Sequence, residues 1–279
     1  MTSLAQDGAK QIEIDGSTLN LLDVGEGQPV VLGSSFLWDA EMWRPQIDVL
    51  SSRYRVIVPE LWGHGRSGPL PAGTANMRDL ARQYLEMLDR LEIERCAIVG
   101  LSVGGMWGAE LALMAPARVS SLVLMDTSLA AEPEETRARY FAMLGAIEAL
   151  GVLPDPVREA AAPMFFSPTV RTRRPELLDA FDAKLRAWEP QRLVESVAPL
   201  GRLIFGRRDA MEDLVQLSMP TLVMTGADDV ARPPAEGRAM AERIGCPFQE
   251  IPGAGHISSL EASEFVNQAL TGFLAAQHG

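Results

Sequence analysis

The sequence predicts an α/β fold: a largely parallel sheet covered on both faces by helices and interrupted by a long helical insertion. Three observations carry this. Short runs of β-branched and leucine residues alternate with amphipathic helical segments through the first half. The alternation stops after Thr127 and gives way to helix-rich sequence from about 128 to 217. It resumes at Thr221 and continues to the end.

The elements follow in order. Residues 11–14 and 18–23 read as a hairpin turning at Asp15-Gly16. Pro29 to Leu32 is a short apolar strand ending at Gly33. Residues 41–50 suit a helix that Pro45 either confines or begins, and Arg53 to Val58 is a strand stopped by Pro59. Between 76 and 91, Met77, Leu80, Ala81, Tyr84, Leu85, Leu88 and Leu91 line one helical face. Cys96 to Val99 is a buried strand, Met106 to Ala115 a helix ended by Pro116, and Ser121 to Met125 a further strand. Candidate helices in the insertion are 133–149, 155–165, 175–187 and 191–200. Thr221 to Thr225 and Phe248 to Ile251 are strands flanking a helix at 235–244. Ser258 and Glu261 have capping-box spacing before a last helix whose apolar side is Phe265, Val266, Leu270, Phe273 and Leu274. The expected organisation is a core formed by 1–127 and 218–279, with 128–217 inserted. Such insertions lie at a sheet's carboxyl edge, where ligands bind.

Composition narrows the function. The 279 residues are 47% hydrophobic and 22% charged, with a net charge of −12, which disfavours a phosphate-backbone partner. No apolar run reaches the roughly 18 residues of a membrane span. The start, MTSLAQDGAKQ, lacks a secretory pattern, so a cytoplasmic setting is expected. Cys96 and Cys246 form neither a metal pattern nor a CxxC and are expected to be core hydrophobes. With few histidines and no HExxH, no metal or cofactor is expected. The cluster Arg171, Arg173, Arg174 is expected to be solvated.

The sharpest chemical signal is Gly100-Leu101-Ser102-Val103-Gly104, set between a buried strand and a helix. A serine in that tight turn projects its hydroxyl above the sheet, at the end of a helix that favours developing negative charge. Its base comes from three histidines. His278 is penultimate and is expected to be disordered, and His64 lies in an early glycine-rich turn. His256 lies between the last strand and last helix, at the edge that carries Ser102, and is the expected general base. An orienting carboxylate is expected from Asp229, with Asp228 and Asp126 as alternatives at the same edge. Oxyanion donors are expected from the Val103 N–H and from the turn after Leu32, where Phe36 is preferred to Ser35.

These pieces resemble the α/β-hydrolase superfamily over nearly the whole chain. The matching stretches are Gly33-Ser34-Ser35-Phe36, Glu60 to Ser67, the Ser102 turn, Gly226-Ala227-Asp228-Asp229 and Gly255-His256. The resemblance implies a mostly parallel eight-stranded sheet and a helical cap. Its spacing, an aspartate three residues after a glycine such as Gly226, selects Asp229. The chain looks most like the branch of 3-oxoadipate enol-lactonases, cofactor-free haloperoxidases or perhydrolases and small carboxylesterases. Two departures stand out: Ser34-Ser35 replaces the usual His-Gly, and Glu60 replaces an aspartate expected to be structural.

The chemistry implied is two-step acyl transfer to water. Trp38, Trp62, Met106, Met143, Ile147, Phe165 and Phe166 are candidate pocket residues, which suggests a small to medium, largely apolar ester as substrate. A lactone, a carbon–carbon bond in a diketone-like compound, perhydrolysis, or ligand binding without catalysis are the alternatives.

Overall fold

The computed structural model describes residues 8–277; His278 lies outside them. Eight strands form one sheet in the order β1-β2-β4-β3-β5-β6-β7-β8. The strands are β1 Ala9–Ile14, β2 Ser17–Val24, β3 Gln28–Gly33, β4 Tyr54–Pro59, β5 Cys96–Leu101, β6 Val119–Met125, β7 Thr221–Gly226 and β8 Phe248–Ile251. The first hairpin turns through Asp15 and Gly16, both at positive φ, as a two-residue connection demands. β1–β2 and β2–β4 are antiparallel, and every later pairing is parallel. β3, β5, β6 and β7 are buried almost throughout, as strands covered on both faces must be.

The helices are α1 Arg44–Leu50, α2 Met77–Arg90, α3 Val103–Met114, α4 Glu134–Leu150, α5 Asp155–Phe165, α6 Val170–Arg173, α7 Pro175–Arg186, α8 Pro190–Arg192, α9 Ala198–Phe205, α10 Pro234–Ile244, α11 Ser258–Glu261 and α12 Ser263–Ala276. Pro45 sits in the first turn of α1, where its missing N–H costs no helical bond. Every described element between β6 and β7 is helical, with a π-helical stretch, Leu193–Val197, joining α8 to α9. Among the described residues no helix is long and apolar enough to cross a membrane.

Four local expectations are corrected. Ser258 and Glu261 form no capping box: they belong to a separate short helix and their side chains serve distant partners. Ser258 Oγ donates to Asp126 at 2.5 Å, while Glu261 accepts from the Gly255 and Ser167 N–H groups, both at 3.0 Å. On α12, Val266, Leu270 and Leu274 are buried, but Phe265 lies at the edge of that face and is 37% exposed. Cys96 is buried as expected, whereas Cys246 is only half-buried, just past the end of α10. In the arginine cluster, Arg171 and Arg173 are exposed; Arg174 is half-buried and pairs with Glu176.

Candidate active site

Parallel strands deliver their following residues to one edge of the sheet, and the candidate residues are those that β5, β6, β7 and β8 deliver. Ser102 follows β5 and caps α3 with φ 56° and ψ −120°. That backbone is strained for a residue with a Cβ, by roughly 1–3 kcal/mol. Several bonds hold it. The Ser102 N–H donates to Met125 O at 2.9 Å, and its carbonyl accepts from Thr127 Oγ1 at 2.7 Å and from the Gly105 and Met106 N–H groups. The turn also needs Gly104, because a Cβ there would stand 2.1 Å from the Gly33 carbonyl oxygen. Ser102 is 8% exposed.

His256 follows β8. Its Nδ1–H donates to Asp229 Oδ2 at 2.9 Å, leaving Nε2 as the ring nitrogen open to a proton from elsewhere. Among the described residues, no hydrogen bond joins that nitrogen to Ser102 Oγ. Asp229 Oδ1 accepts the N–H groups of Ala231 and Arg232, each at 2.9 Å. The carboxylate is therefore oriented at both oxygens, and Asp229 and His256 are both buried. Of the three aspartates weighed, Asp229 is the one that contacts the imidazole. Asp126 instead accepts from the Gly226 N–H at 2.7 Å and bonds Ser258 Oγ. Burial, then the nearby Asp229 charge, hold Asp126 well above the usual carboxylate range.

The turn after β3 carries Phe36. Among the described residues, no hydrogen bond is made to its N–H. The N–H of Val103, as the first of α3, has no intrahelical acceptor. The next residue, Leu37, has φ 67°, and its N–H donates to His64 Nε2 at 3.0 Å. His64 Nδ1–H donates in turn to Trp62 O at 2.9 Å. Burial pushes the His64 imidazole down to about 4, against the opposing pull of the Trp62 carbonyl, so it stays neutral and can accept. This support for the turn was not legible in the sequence. Glu60 is buried beside it as a structural acid: it accepts the Arg66 N–H at 2.6 Å and the Asn20 amide at 2.9 Å.

Of the candidate pocket residues, Trp38, Phe165 and Phe166 come together. Trp38 stacks on Phe181 of α7 at 5.0 Å between ring centroids and meets Phe166 edge-on at 5.9 Å. Phe165 lies 5.7 Å from the His256 ring. Phe181 was not anticipated; its helix carries no local mark of the site. Met106 is buried one turn into α3, Ile147 is buried in α4, and Met143 is half-buried there. Trp62 is corrected: it is fully buried, and its indole N–H donates to Gln83 of α2 at 2.7 Å, which makes it a core residue. The helical stretch also grips the His256 loop, because the Ile257 N–H donates to Phe165 O at 3.0 Å and Glu261 binds Ser167. A cavity of about 290 Å³ shares Leu37 and Trp38 with the Phe36 turn and is otherwise lined by residues such as His64, Lys184, Trp188 and Arg192; Ser102 and His256 do not line it. Among the described residues no cluster of His, Cys, Asp and Glu is arranged to hold a metal.

A mostly parallel sheet, a strained serine between strand and helix, and a buried His–Asp pair at the same edge together define a known class of fold. Residues 28–263 match the alpha/beta hydrolase fold family, and the chain belongs to it. It is 29% identical over 261 residues to 3-oxoadipate enol-lactonase 1 of Acinetobacter baylyi, covering 93% of this chain and 94% of that one. It is 32% identical over 256 residues to the putative carbamate hydrolase RutD of Variovorax paradoxus, covering 90% and 92%. Among solved structures it resembles a thermophilic esterase from Thermogutta terrifontis, with a TM-score of 0.87 and 28% identity over 97% of this chain and 99% of that one.

Proposed function

We propose that this protein is a serine hydrolase that cleaves a carboxylic ester of a small to medium, largely apolar substrate through an acyl-enzyme. Ser102 is the nucleophile, His256 the general base and acid, and Asp229 the carboxylate that fixes the imidazole. The observation that carries the reading is the buried His256–Asp229 pair at 2.9 Å, on the edge where Ser102 is held at positive φ.

His256 Nε2 takes the Ser102 proton as Oγ attacks the substrate carbonyl carbon. The carbonyl oxygen gains the negative charge and is met by the Phe36 and Val103 N–H groups. The tetrahedral intermediate collapses, the bond to the leaving oxygen breaks, and His256 returns the proton to that oxygen. Water then attacks the acyl-enzyme with His256 again as base, releasing the acid and restoring Ser102. Asp229 stabilises the imidazolium in both steps and is not itself protonated. The apolar surround of Trp38, Phe165, Phe166 and Phe181 supports an apolar acyl or alcohol group.

A lactone is the second reading, favoured by the similarity to the enol-lactonase from Acinetobacter baylyi over most of both chains. The same steps would open a ring, with the alkoxide remaining on the acyl group. A panel of esters and lactones of graded acyl length, assayed with wild type and Ser102→Ala, tests both. Turnover of one class by wild type and its loss in the variant is expected. No turnover of any carbonyl substrate, with a tightly bound ligand retained in both forms, would sink the enzyme reading.

A further inference from the structure

Three charged side chains that the proposed mechanism does not use are buried together behind the acid turn. Glu132 lies just before α4, Arg207 just after α9, and Arg232 three residues beyond Asp229. Their side chains are 1%, 2% and 7% exposed. One carboxylate oxygen of Glu132 accepts from Arg207 Nη1 at 2.7 Å and from Arg232 Nη2. Arg207 Nε also donates to Ser128 O at 3.2 Å, and the Ala210 N–H donates to Leu129 O at 2.8 Å. The chain entering the helical stretch after β6 is thus joined to the chain leaving it.

Arg232 carries the connection to the site. Its main-chain N–H holds Asp229 Oδ1, while its side chain holds Glu132. A single residue therefore binds the acid with its backbone and the start of the helical stretch with its guanidinium.

The hydrogen bonding of this buried group is incomplete. Arg207 Nη2 and Glu236 Oε2 are buried, and neither has a hydrogen-bond partner among the described residues; the Glu236 oxygen stands 3.7 Å from Arg232 Nη1. Buried ions with unsatisfied groups are commonly no more stable than apolar side chains of similar volume, and the best-attested use of such groups is to fix a register. We infer that Glu132, Arg207 and Arg232 are positioning residues, which register the turn carrying Asp229 against both ends of the helical stretch between β6 and β7. The inference rests on Asp229 being the acid that orients His256.

The test uses the full chain with Glu132→Gln, which keeps the shape and removes the charge, and with Glu132→Gln/Arg207→Met, which removes one charge of each sign. Melting temperature, kcat and KM on the best ester of the panel, and the rate of Ser102 labelling by a fluorophosphonate are measured for each. Expected for both variants is a kcat about 10–100-fold lower and labelling slowed by a similar factor, with KM changed less than about threefold, because a misplacement of about 1 Å costs on that order. The double variant is expected to melt at or above the single one while staying slow, which separates positioning from stability. If Glu132→Gln does not fold, the double variant decides. A kcat and labelling rate within about twofold of wild type in the folded variants overturns the inference. Turnover lost in Ser102→Ala but kept in these variants overturns the inference alone. Absence of turnover in wild type, or its retention in Ser102→Ala, overturns the functional reading and the inference with it.

Discussion

The carboxyl edge of the sheet and the helical stretch that follows β6 are built on different principles. At the edge, position is set by backbone. Ser102 is held by one main-chain bond to Met125 of β6 and by the first turn of α3, whose Gly104 approaches β3 so closely that no Cβ fits. In the helical stretch, position is set by aromatic packing: Trp38 stacks on Phe181 and Tyr140 stacks on Phe205 at 4.0 Å, while Glu132 ties the stretch to the Asp229 turn. Backbone geometry tolerates few substitutions and suits groups that must not move. Side-chain packing can be exchanged position by position and suits a surface that selects among substrates. The edge should therefore control whether the reaction occurs, and the helical stretch which substrate undergoes it.

The largest effect that could break this contrast is at the edge. Asp229→Asn should lower kcat by roughly 10⁴-fold with KM nearly unchanged, because the wrong imidazole tautomer would face Ser102. A steady-state comparison in which kcat fell less than about tenfold would move the acid role elsewhere, with Asp126 the next carboxylate at that edge. Gly104→Ala comes next. Forcing a Cβ to within 2.1 Å of Gly33 O should cost about 3 kcal/mol or more, read as a lowered urea midpoint. A loss under about 1 kcal/mol would mean that the turn can relax, and the contrast would weaken.

His64 sharpens the comparison through pH. Its imidazole titrates near 6.5 when unfolded and about 4 in the fold, so the unfolded chain takes the proton first as pH falls. The stability linked to it is fully present above about 6.5, declines below that, and is lost by about 4. The difference is on the order of 3 kcal/mol. Between pH 7 and 4.5 the wild-type melting temperature should fall more steeply than that of His64→Gln. Parallel curves would contradict the role of a neutral, buried His64 beneath the Phe36 turn. The smallest effect belongs to the helical stretch. Phe165→Ala should change the ratio of kcat/KM for long against short acyl esters by about tenfold while leaving kcat on the shortest ester near wild type. An equal loss on every ester would place Phe165 with the catalytic groups instead.

What the sequence made legible follows the same division. Strands β3, β5, β6 and β7 are continuous apolar runs, and a strand–serine–helix turn has a local spacing, so these could be read directly. The order of the strands could not, because β4 inserts between β2 and β3 through contacts that carry no local mark. Polar residues misled where tertiary partners outbid local ones. Ser258 and Glu261 have the spacing of a cap, yet Asp126 and Ser167 claim their side chains. Trp62 is a candidate for either packing or the pocket beside a glycine-rich turn, and the contact that decides for packing, Gln83 on its indole N–H, comes from another helix. The Glu132 cluster joins residues 75 and 100 positions apart, which no periodicity can reveal.

In the proposed mechanism Ser102 becomes acylated during turnover. Quenching the wild type in acid during steady turnover of the best ester, then mapping peptides by mass, tests it directly. The expected result is the substrate's acyl mass on the Ser102 peptide, with neither adduct nor turnover in Ser102→Ala. An adduct on another residue, or turnover retained in Ser102→Ala, would contradict it.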